Sequence, residues 1–363
     1  MSSRPKTVYR GRRRYRWIIT LLLFILAALI ITGIWLFYYL EQYIVYDKDG
    51  VRLVLPNKQT EESEDPEEGV YRPIVTLDPS EFEIIIEPPD FSSVETSAGE
   101  GVSDVKGFYI SAGNVNPENI NYYAGLEETK ALMIQMKAPI GYFSYHSTVE
   151  FADGYGVNGV AEIAEALANA KEKGIYLIGD ISALVDNAMA ERYRSLALIR
   201  YGTAHAMSDG RGAYLDPYNG TVRNYIESAM EELADLGFDE VVLSNVLHPV
   251  GDVVYSQHMT GAMDLVSCIS AFSLDMASRA RDLGIRVSVK CDSDALHAGE
   301  MESVGQDLSF FFRVFDRVYF DTSSDYYQYD MGRMTESLGS EKSARIVPMM
   351  VQNVPEWGSY ISK

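Results

Sequence analysis

The feature that most constrains the fold is an alternation, from residue 105 onward, of short apolar runs with segments of helical periodicity. The runs are nearly continuous, as strands buried on both faces of a sheet require. We predict seven such strands, at residues 105–111, 131–137, 175–182, 239–246, 285–291, 317–321 and 345–351. Between them, helical spacing predicts helices at 158–173, 220–236, 263–283 and 300–312. This alternation predicts a mainly parallel sheet joined by right-handed crossovers.

Two architectures fit the alternation, an open doubly wound sheet and a closed barrel. The dinucleotide-binding form of the open sheet carries a G-x-G-x-x-G turn after its first strand, and no such turn follows residue 111. Polar side chains collect at the ends of the predicted strands, where barrel enzymes assemble their sites. We therefore predict an α/β fold with a (β/α)8 TIM-like barrel over residues 105–363. Residues 356–363 supply its eighth strand or, alternatively, the chain stops before the barrel closes.

Residues 17–40 form an uncharged apolar run that is long enough to cross a membrane. A spanning helix needs about 20 apolar residues, and this run is longer. Basic residues precede it throughout 1–16, whereas Glu41, Asp47 and Asp49 follow it. Since cationic flanks stay in the cytoplasm, we predict a cytoplasmic N-terminus and an extracytoplasmic remainder. The alternative, a cleaved signal peptide, would have small residues before the cut, whereas this run ends in IWLFYYL.

These patterns predict four parts of the chain. Residues 1–16 form a basic cytoplasmic tail, 17–40 a transmembrane helix, 41–104 an extracytoplasmic linker and 105–363 the barrel. Within the linker, 57–69 is acidic and poor in core-forming residues, so we expect it to be solvated. A strand-like segment at 71–89 pairs as a small sheet or covers the bottom of the barrel.

The charge of the chain excludes nucleic acid as a partner. The sequence has 52 acidic and 31 basic residues, which gives a formal net charge of −21 at pH 7. Seven of the bases fall within residues 1–16, so the predicted exterior is still more acidic. Nucleic-acid binding depends on neutralising phosphates, which such an exterior cannot do. A neutral glycan or a cationic partner is compatible with this charge.

Motifs that hold metals or cofactors are missing from the sequence. It contains neither C-x-x-C nor H-x-x-x-H spacing, so we predict no metal site and no cofactor. The two cysteines, Cys268 and Cys291, either pair in an oxidising exterior or are buried as small apolar residues.

Several segments together resemble a known bacterial family. They are VKGFYIS (105–111), ALMIQMKAPIGYFSY (131–145), AYLDPYN (213–219), LGFDEVVLSNVLHP (236–249), VSVKCDSD (287–294) and FDRVYFD (315–321). In this order they resemble the glycoside-hydrolase-like TIM-barrel domain of membrane-anchored or secreted bacterial proteins, whose activity is poorly defined. The resemblance spans residues 105–351 and implies a barrel and a connection to carbohydrate.

The sequence departs from the family at polar positions of three strands. Where members carry an acid in the second strand, this chain has Gln135. In the fourth strand Ser244 replaces the family's Asp and Leu247 its Arg, and in the fifth Lys290 replaces an acid. Catalysis inherited from the family is therefore expected to be weak or lost.

Other carboxylates could replace the lost acids. Glycoside hydrolysis uses two carboxyl groups, one as acid and one as nucleophile or base. Asp180, Asp292 and Asp321 each lie at or just beyond the C-terminal end of a predicted strand, and we name them as candidate catalytic residues. The competing interpretation is that such aspartates cap helices or fix turns.

Candidate substrate-binding residues follow other strand ends. Histidines there donate to sugar hydroxyls or are simply surface residues, and tyrosines stack on sugars or pack at the rim. The candidates are Tyr145, His146, His248, Lys290 and Tyr326.

Taken together, the sequence predicts a single-pass membrane protein that presents a glycoside-hydrolase-like barrel at the cell envelope. The barrel binds or modifies envelope polysaccharide, and an active form would be a glycoside hydrolase. The alternative is a non-catalytic barrel that serves as a scaffold or as a glycan-binding or protein-binding module. The two differ in whether wall glycan incubated with the protein releases reducing ends.

Overall fold

The computed structural model describes the barrel region and a small part of the N-terminal region. The described residues are 21, 44–47, 50–53, 98–152, 159, 161–200, 203–250, 254–255, 264–339, 344–352, 355 and 358–363. By its internal contacts the chain divides into two compact units, Met1–Glu81 and Phe82–Lys363.

In the first unit, Ile44–Asp47 and Gly50–Leu53 pair as an antiparallel hairpin. The predicted transmembrane helix at 17–40, of which only Leu21 is described, and the strand-like segment at 71–89 lie outside the described residues. Within the part that is described, no helix combines the length and the apolar character that a membrane crossing needs. The anchor therefore stays a prediction from the sequence.

The second unit contains a closed barrel of eight parallel strands, which confirms the predicted fold class. The strands follow one another around the barrel in chain order, and the eighth pairs with the first. They are β1 (Lys106–Ile110), β2 (Ala131–Lys137), β3 (Tyr176–Ser182), β4 (Glu240–Ser244), β5 (Arg286–Lys290), β6 (Val318–Asp321), β7 (Ile346–Met350) and β8 (Tyr360–Ser362). Strand β8 comes from the predicted segment 356–363, so the barrel closes.

Helices surround the barrel between the strands. They are α1 (Pro117–Tyr123), α2 (Ala164–Glu172), α3 (Asn187–Arg192), α4 (Gly220–Asp235), α5 (Leu265–Asp282), α6 (Ser293–Ala298), α7 (Leu308–Val314) and α8 (Tyr327–Leu338). The connection from β3 to α4 also carries a short antiparallel pair, Ser208–Asp209 with Gly212–Ala213.

The predicted helix at 300–312 is two elements rather than one. A 3-10 turn, Met301–Val304, ends at Gly305, which adopts a left-handed φ of 75°. Helix α7 then starts anew, with the Asp307 side chain accepting a hydrogen bond from the Phe310 backbone N–H at 3.1 Å. A left-handed glycine ends a helix without strain, and an aspartate cap begins the next.

The barrel interior is filled by an apolar layer below a polar mouth. Met133, Ile178, Val242 and Val347 are among the buried side chains that pack together there. Strand β1 approaches β2 so closely that a Cβ on Gly107 would lie 1.9 Å from the Ala131 carbonyl oxygen. Alternation of inward and outward residues along these strands directs every second side chain toward the barrel axis.

Candidate functional site

A cavity of about 550 Å³ opens at the C-terminal ends of the barrel strands. Strands β2, β3, β4, β5 and β6 and the segments that follow them contribute to it. Its polar lining includes Gln135, Asp180, Ser244, Lys290, Asp292, His297, Asp321 and Tyr326. This end of a barrel is where enzymes of this fold assemble their sites, so the cavity is the candidate functional site.

Asp180 on β3 is a buried carboxyl group at the floor of this cavity. It is 1% exposed, and its Oδ2 accepts a hydrogen bond from the Tyr109 hydroxyl at 3.0 Å. Its Oδ1 is buried without a hydrogen-bond partner among the residues the structure describes. Burial raises the pKa of Asp180 above its usual range, although the positive charge of Lys290 opposes the shift. Burial thus favours the protonated form of this carboxyl more than water would, and that form has an O–H to donate.

The Ser244 hydroxyl is near enough to Asp180 to lower its pKa. It nevertheless donates its hydrogen bond elsewhere, to the Ile181 carbonyl oxygen at 3.3 Å. Asp180 Oδ1 thus stays buried and without a hydrogen-bond partner among the described residues.

Asp321 at the end of β6 has the opposite electrostatic environment. Its Oδ2 lies 2.8 Å from the Lys290 ammonium, and its Oδ1 pairs with the Lys363 ammonium. Burial opposes ionisation, but the two lysines hold the pKa of Asp321 below its usual value. Burial likewise disfavours the charged form of Lys290, yet Asp321 and Asp180 raise its pKa. The mouth thus contains one acid inclined to keep its proton and one inclined to lose it.

Asp292 lines the cavity but is committed to structural contacts. Its Oδ1 accepts a hydrogen bond from the Ala295 backbone N–H at 2.9 Å, which caps helix α6. Its Oδ2 accepts a hydrogen bond from the Arg211 Nε at 2.9 Å and forms an ion pair with the Arg211 Nη2 at 2.8 Å. Arg211 lies in the turn between the short strands Ser208–Asp209 and Gly212–Ala213. Its ion pair with Asp292 therefore holds this short hairpin against the barrel mouth.

A histidine that was not predicted also faces the cavity. His297 on α6 hydrogen-bonds through Nδ1 to the buried Asp330 at 2.8 Å, and the Thr322 hydroxyl donates to the other oxygen of Asp330. The His297 ring stacks on Tyr326, with centroids 4.6 Å apart and planes 20° apart. Because Asp330 orients one ring nitrogen, the other is left to meet a ligand.

The structure brings five of the predicted site residues to the cavity and places three elsewhere. Those that line it are Asp180, Lys290, Asp292, Asp321 and Tyr326.

The other three predicted residues do not line the cavity. Tyr145 is buried and donates its hydroxyl hydrogen bond to Glu232 on α4. His146 is exposed. His248 has its Nδ1 3.0 Å from the Pro249 carbonyl oxygen, and burial lowers its pKa.

Sequence reasoning missed Tyr109, Lys363, Arg211, His297 and Asp330. The sequence does contain a signal for Tyr109 and Lys363. Side chains of a strand alternate between its two faces, and this alternation predicts that both residues face inward, Tyr109 at the C-terminal end of β1 and Lys363 at that of β8. His297 and Asp330 are contacts between two helices, which no local spacing indicates. Arg211 reaches Asp292 across 81 positions of sequence.

The described residues contain no group of three or more histidine, cysteine or acidic side chains that could hold a metal ion. Cys268 and Cys291 are both buried and unpaired, which agrees with the second of the two alternatives for these residues.

Comparisons with known proteins place this chain among glycosidase-like domains. The model of a family described as "Putative glycosyl hydrolase domain" matches residues 107–320. No curated protein matches the sequence.

Among solved structures, the chain is similar to the PgaB (BpsB) glycoside hydrolase domain from Bordetella bronchiseptica. The two are 12% identical over 68% of this chain and 84% of that chain, with a TM-score of 0.50. A hypothetical protein from Ruminiclostridium thermocellum ATCC 27405 is 22% identical over 50% of this chain and 96% of that chain, with a TM-score of 0.45.

The GH20 beta-N-acetylhexosaminidase from Streptomyces coelicolor A3(2) is 13% identical over 71% of this chain, with a TM-score of 0.42. The match spans only 53% of that enzyme, about half of its length. At such identities, likeness to solved structures shows the fold alone.

Proposed function

The chain belongs to the family described as "Putative glycosyl hydrolase domain", and on that premise we propose that its barrel binds an envelope glycan at the mouth and hydrolyses it. The observation that carries the proposal is the pair of carboxyl groups with opposite protonation preferences, Asp180 and Asp321. Two acids whose environments push their pKa values apart are what acid and base roles at one pH require.

In the proposed reaction, Asp180 gives its proton to the glycosidic oxygen as the bond to the anomeric carbon breaks. The ionised Asp321 serves as nucleophile or as base toward the attacking water. Water supplies the hydroxyl of the new reducing end and the proton that restores Asp180. Lys290 lies beside both acids and keeps Asp321 ionised.

Tyr326 supports glycan binding at this position. The residue is 51% exposed, and the stacking of its ring on His297 fixes the orientation of the ring. An aromatic face at the edge of a polar cavity packs against the C–H surface of a sugar while nearby polar groups bind the hydroxyls.

The proposal is tested by incubating the full chain with bacterial wall glycan and measuring the release of reducing ends. Asp180→Asn and Asp321→Asn should each lower the rate by about 10²–10⁴-fold, the usual contribution of a general acid or base. Asp325→Asn is the matched control, because Asp325 is an exposed aspartate on the loop that follows β6. Turnover that survives in either site variant at the wild-type rate would refute the roles assigned here.

A second candidate function is glycan binding without cleavage. It is favoured by the two ion pairs of Asp321, which occupy both of its carboxylate oxygens. Binding without cleavage is also favoured by Gln135, Ser244 and Lys290, which stand where the family resemblance implies acidic residues. Wall glycan that binds the wild-type chain and releases no reducing ends would establish this second function.

We also propose that residues 17–40 anchor the protein in the cell membrane, with the barrel on the outer face. The proposal is supported by the uncharged apolar run and by the basic residues that precede it. Protease added to intact cells should then digest the barrel, and N-terminal sequencing should find the apolar run retained. A mature chain that begins after residue 40 would contradict the anchor.

A further inference from the structure

A second cavity, of about 440 Å³, lies on the β1 side of the barrel mouth. It is formed by the end of β1, the loop to α1, helix α1 and the residue after β8. Its lining consists of Tyr109, Ile110, Ser111, Asn114, Asn119, Tyr123 and Lys363. The volume falls within the range of about 300–1,000 Å³ that is typical of small-molecule sites.

Two side chains connect this cavity to the candidate active site. Tyr109 lines the second cavity, and its hydroxyl donates a hydrogen bond to Asp180, which lines the first. The Lys363 side chain also lines the second cavity, while its ammonium pairs with Asp321 in the first and lies 5.7 Å from the Tyr109 ring centroid. The two cavities therefore share a wall that is a single layer of side chains.

The polar groups of the second cavity match the hydroxyls of a sugar. The Asn114 amide donates to the Ser111 hydroxyl at 2.9 Å, and the Asn119 amide donates to the Asn114 backbone carbonyl at 2.7 Å. These bonds fix both side chains. Their amide oxygens accept no hydrogen bond from the part of the chain that the structure describes, so they are available to hydroxyl donors.

The remaining lining favours a neutral ligand with an apolar face. Tyr123 packs against Phe108 with ring centroids 5.4 Å apart, which holds an aromatic surface at the edge of the cavity. Among the described residues that line the cavity, Lys363 alone is charged, and its charge is matched by Asp321. An aromatic ring beside uncharged amides suits a sugar unit better than an ionic group.

We propose that the second cavity binds a further uncharged sugar unit of the glycan whose neighbouring unit occupies the first cavity. The ligand is then an oligosaccharide that crosses the wall formed by Tyr109 and Lys363. This inference rests on the proposed function, and it adds that recognition requires a chain rather than a single sugar.

The test compares affinity for wall-glycan fragments of two, four and six sugar units. Binding is measured to the full chain carrying Asp180→Asn, so that the fragments stay intact. In this background affinity should rise with length by about tenfold, since each added hydrogen bond contributes about 0.5–1.5 kcal/mol. Adding Asn114→Trp, which fills the second cavity, should abolish the rise while binding of the shortest fragment is retained.

Asn121→Trp is the matched control, because it adds the same bulk at an exposed asparagine of α1 that does not line the cavity. It should keep the full dependence on length. Asn119→Ala, which removes one amide without adding bulk, should reduce the dependence in part.

The outcomes separate this inference from the proposed function. If no fragment binds the protein with or without Asp180→Asn, the proposed function fails. If fragments bind but affinity is independent of length, or if Asn114→Trp keeps the dependence, the second cavity is no sugar site and the proposed function stands.

Discussion

Lys290 acts electrostatically on both acids of the barrel mouth, because its positive charge lowers the pKa of Asp180 and the pKa of Asp321. The active form in the proposed reaction has Asp180 protonated and Asp321 ionised. Activity should therefore fall at low pH, as Asp321 gains a proton, and at high pH, as Asp180 loses its proton. On the proposed function, Lys290 therefore sets the pH range in which the protein works.

The first prediction concerns the pH dependence of this pair. Lys290→Gln removes a positive charge that lowers both pKa values, so both pKa values should rise. The acidic and the alkaline limbs of kcat/KM for reducing-end release should both move to higher pH.

Lys363 provides the comparison for this prediction. Its charge lowers the pKa of Asp321, whereas the largest shifts in the pKa of Asp180 come from burial and from other groups. Lys363→Gln should therefore move the acidic limb to higher pH by more than it moves the alkaline limb. An unchanged profile in Lys290→Gln would show that these two carboxyl groups do not govern the reaction.

At the scale of elements, Asp292 shows how an acid at the end of a strand caps the helix that follows. Asp292→Ala removes the cap of α6 and the partner of Arg211, and we expect the free energy of unfolding to fall by about 1–3 kcal/mol. Asp292→Asn keeps a capping oxygen and should cost less than the alanine variant. Urea unfolding of both variants measures the difference.

Activity of the Asp292 variants separates structure from catalysis. At temperatures where both variants are folded, turnover should remain within a few-fold of the wild type. A loss as large as that expected for Asp180→Asn would show that Asp292 is a catalytic residue.

The elements that the sequence predicted well are those with a strong local signal. Strand β2, at Ala131–Lys137, has the predicted bounds because all seven of its residues belong to one nearly continuous apolar run. Strand β8 has three residues, Tyr360–Ser362, and gains its stability from pairing with β7 and β1 rather than from its own pattern. Tertiary pairing of this kind is invisible to local periodicity.

The site was predictable to the extent that it depends on strand ends. Asp180, Lys290 and Asp321 meet because parallel strands bring their C-terminal ends together. Helix-borne and loop-borne partners, such as His297 with Asp330 and Arg211 with Asp292, depend on how distant segments pack. No local pattern in the sequence predicts these contacts between distant segments.

At the scale of the whole molecule, the end of the barrel opposite the mouth is held by a buried ion pair. Glu240 pairs with Arg317, and its carboxylate also accepts hydrogen bonds from Tyr319 at 2.9 Å and Tyr176 at 3.0 Å. Arg317 further donates to the Ser103 carbonyl oxygen at 3.0 Å, which ties the segment before β1 to the barrel. Each charge stabilises the fold only while the other is present, because a buried ion without a partner lowers the free energy of unfolding.

We expect Glu240→Gln to lower the free energy of unfolding by about 3–5 kcal/mol, since it leaves the Arg317 guanidinium buried without a counter-ion. Adding Arg317→Met should recover much of that loss, because both charges are then absent. Thermal unfolding of the single and double variants measures the coupling. Equal stability of Glu240→Gln and the wild type would show that the pair contributes nothing.

The last prediction concerns the orientation of the whole chain in the membrane. The seven basic residues of 1–16 are the charge asymmetry that, on the proposed anchor, keeps the N-terminus inside. Replacing all seven with serine removes the asymmetry, so a fraction of the chains should insert with the barrel in the cytoplasm. Replacing the six arginines among them with lysine keeps the charge, and that control should behave as the wild type. Protease added to intact cells should digest the barrel of the lysine variant and spare part of the serine variant. Equal digestion of the two variants would mean that these charges do not set the topology.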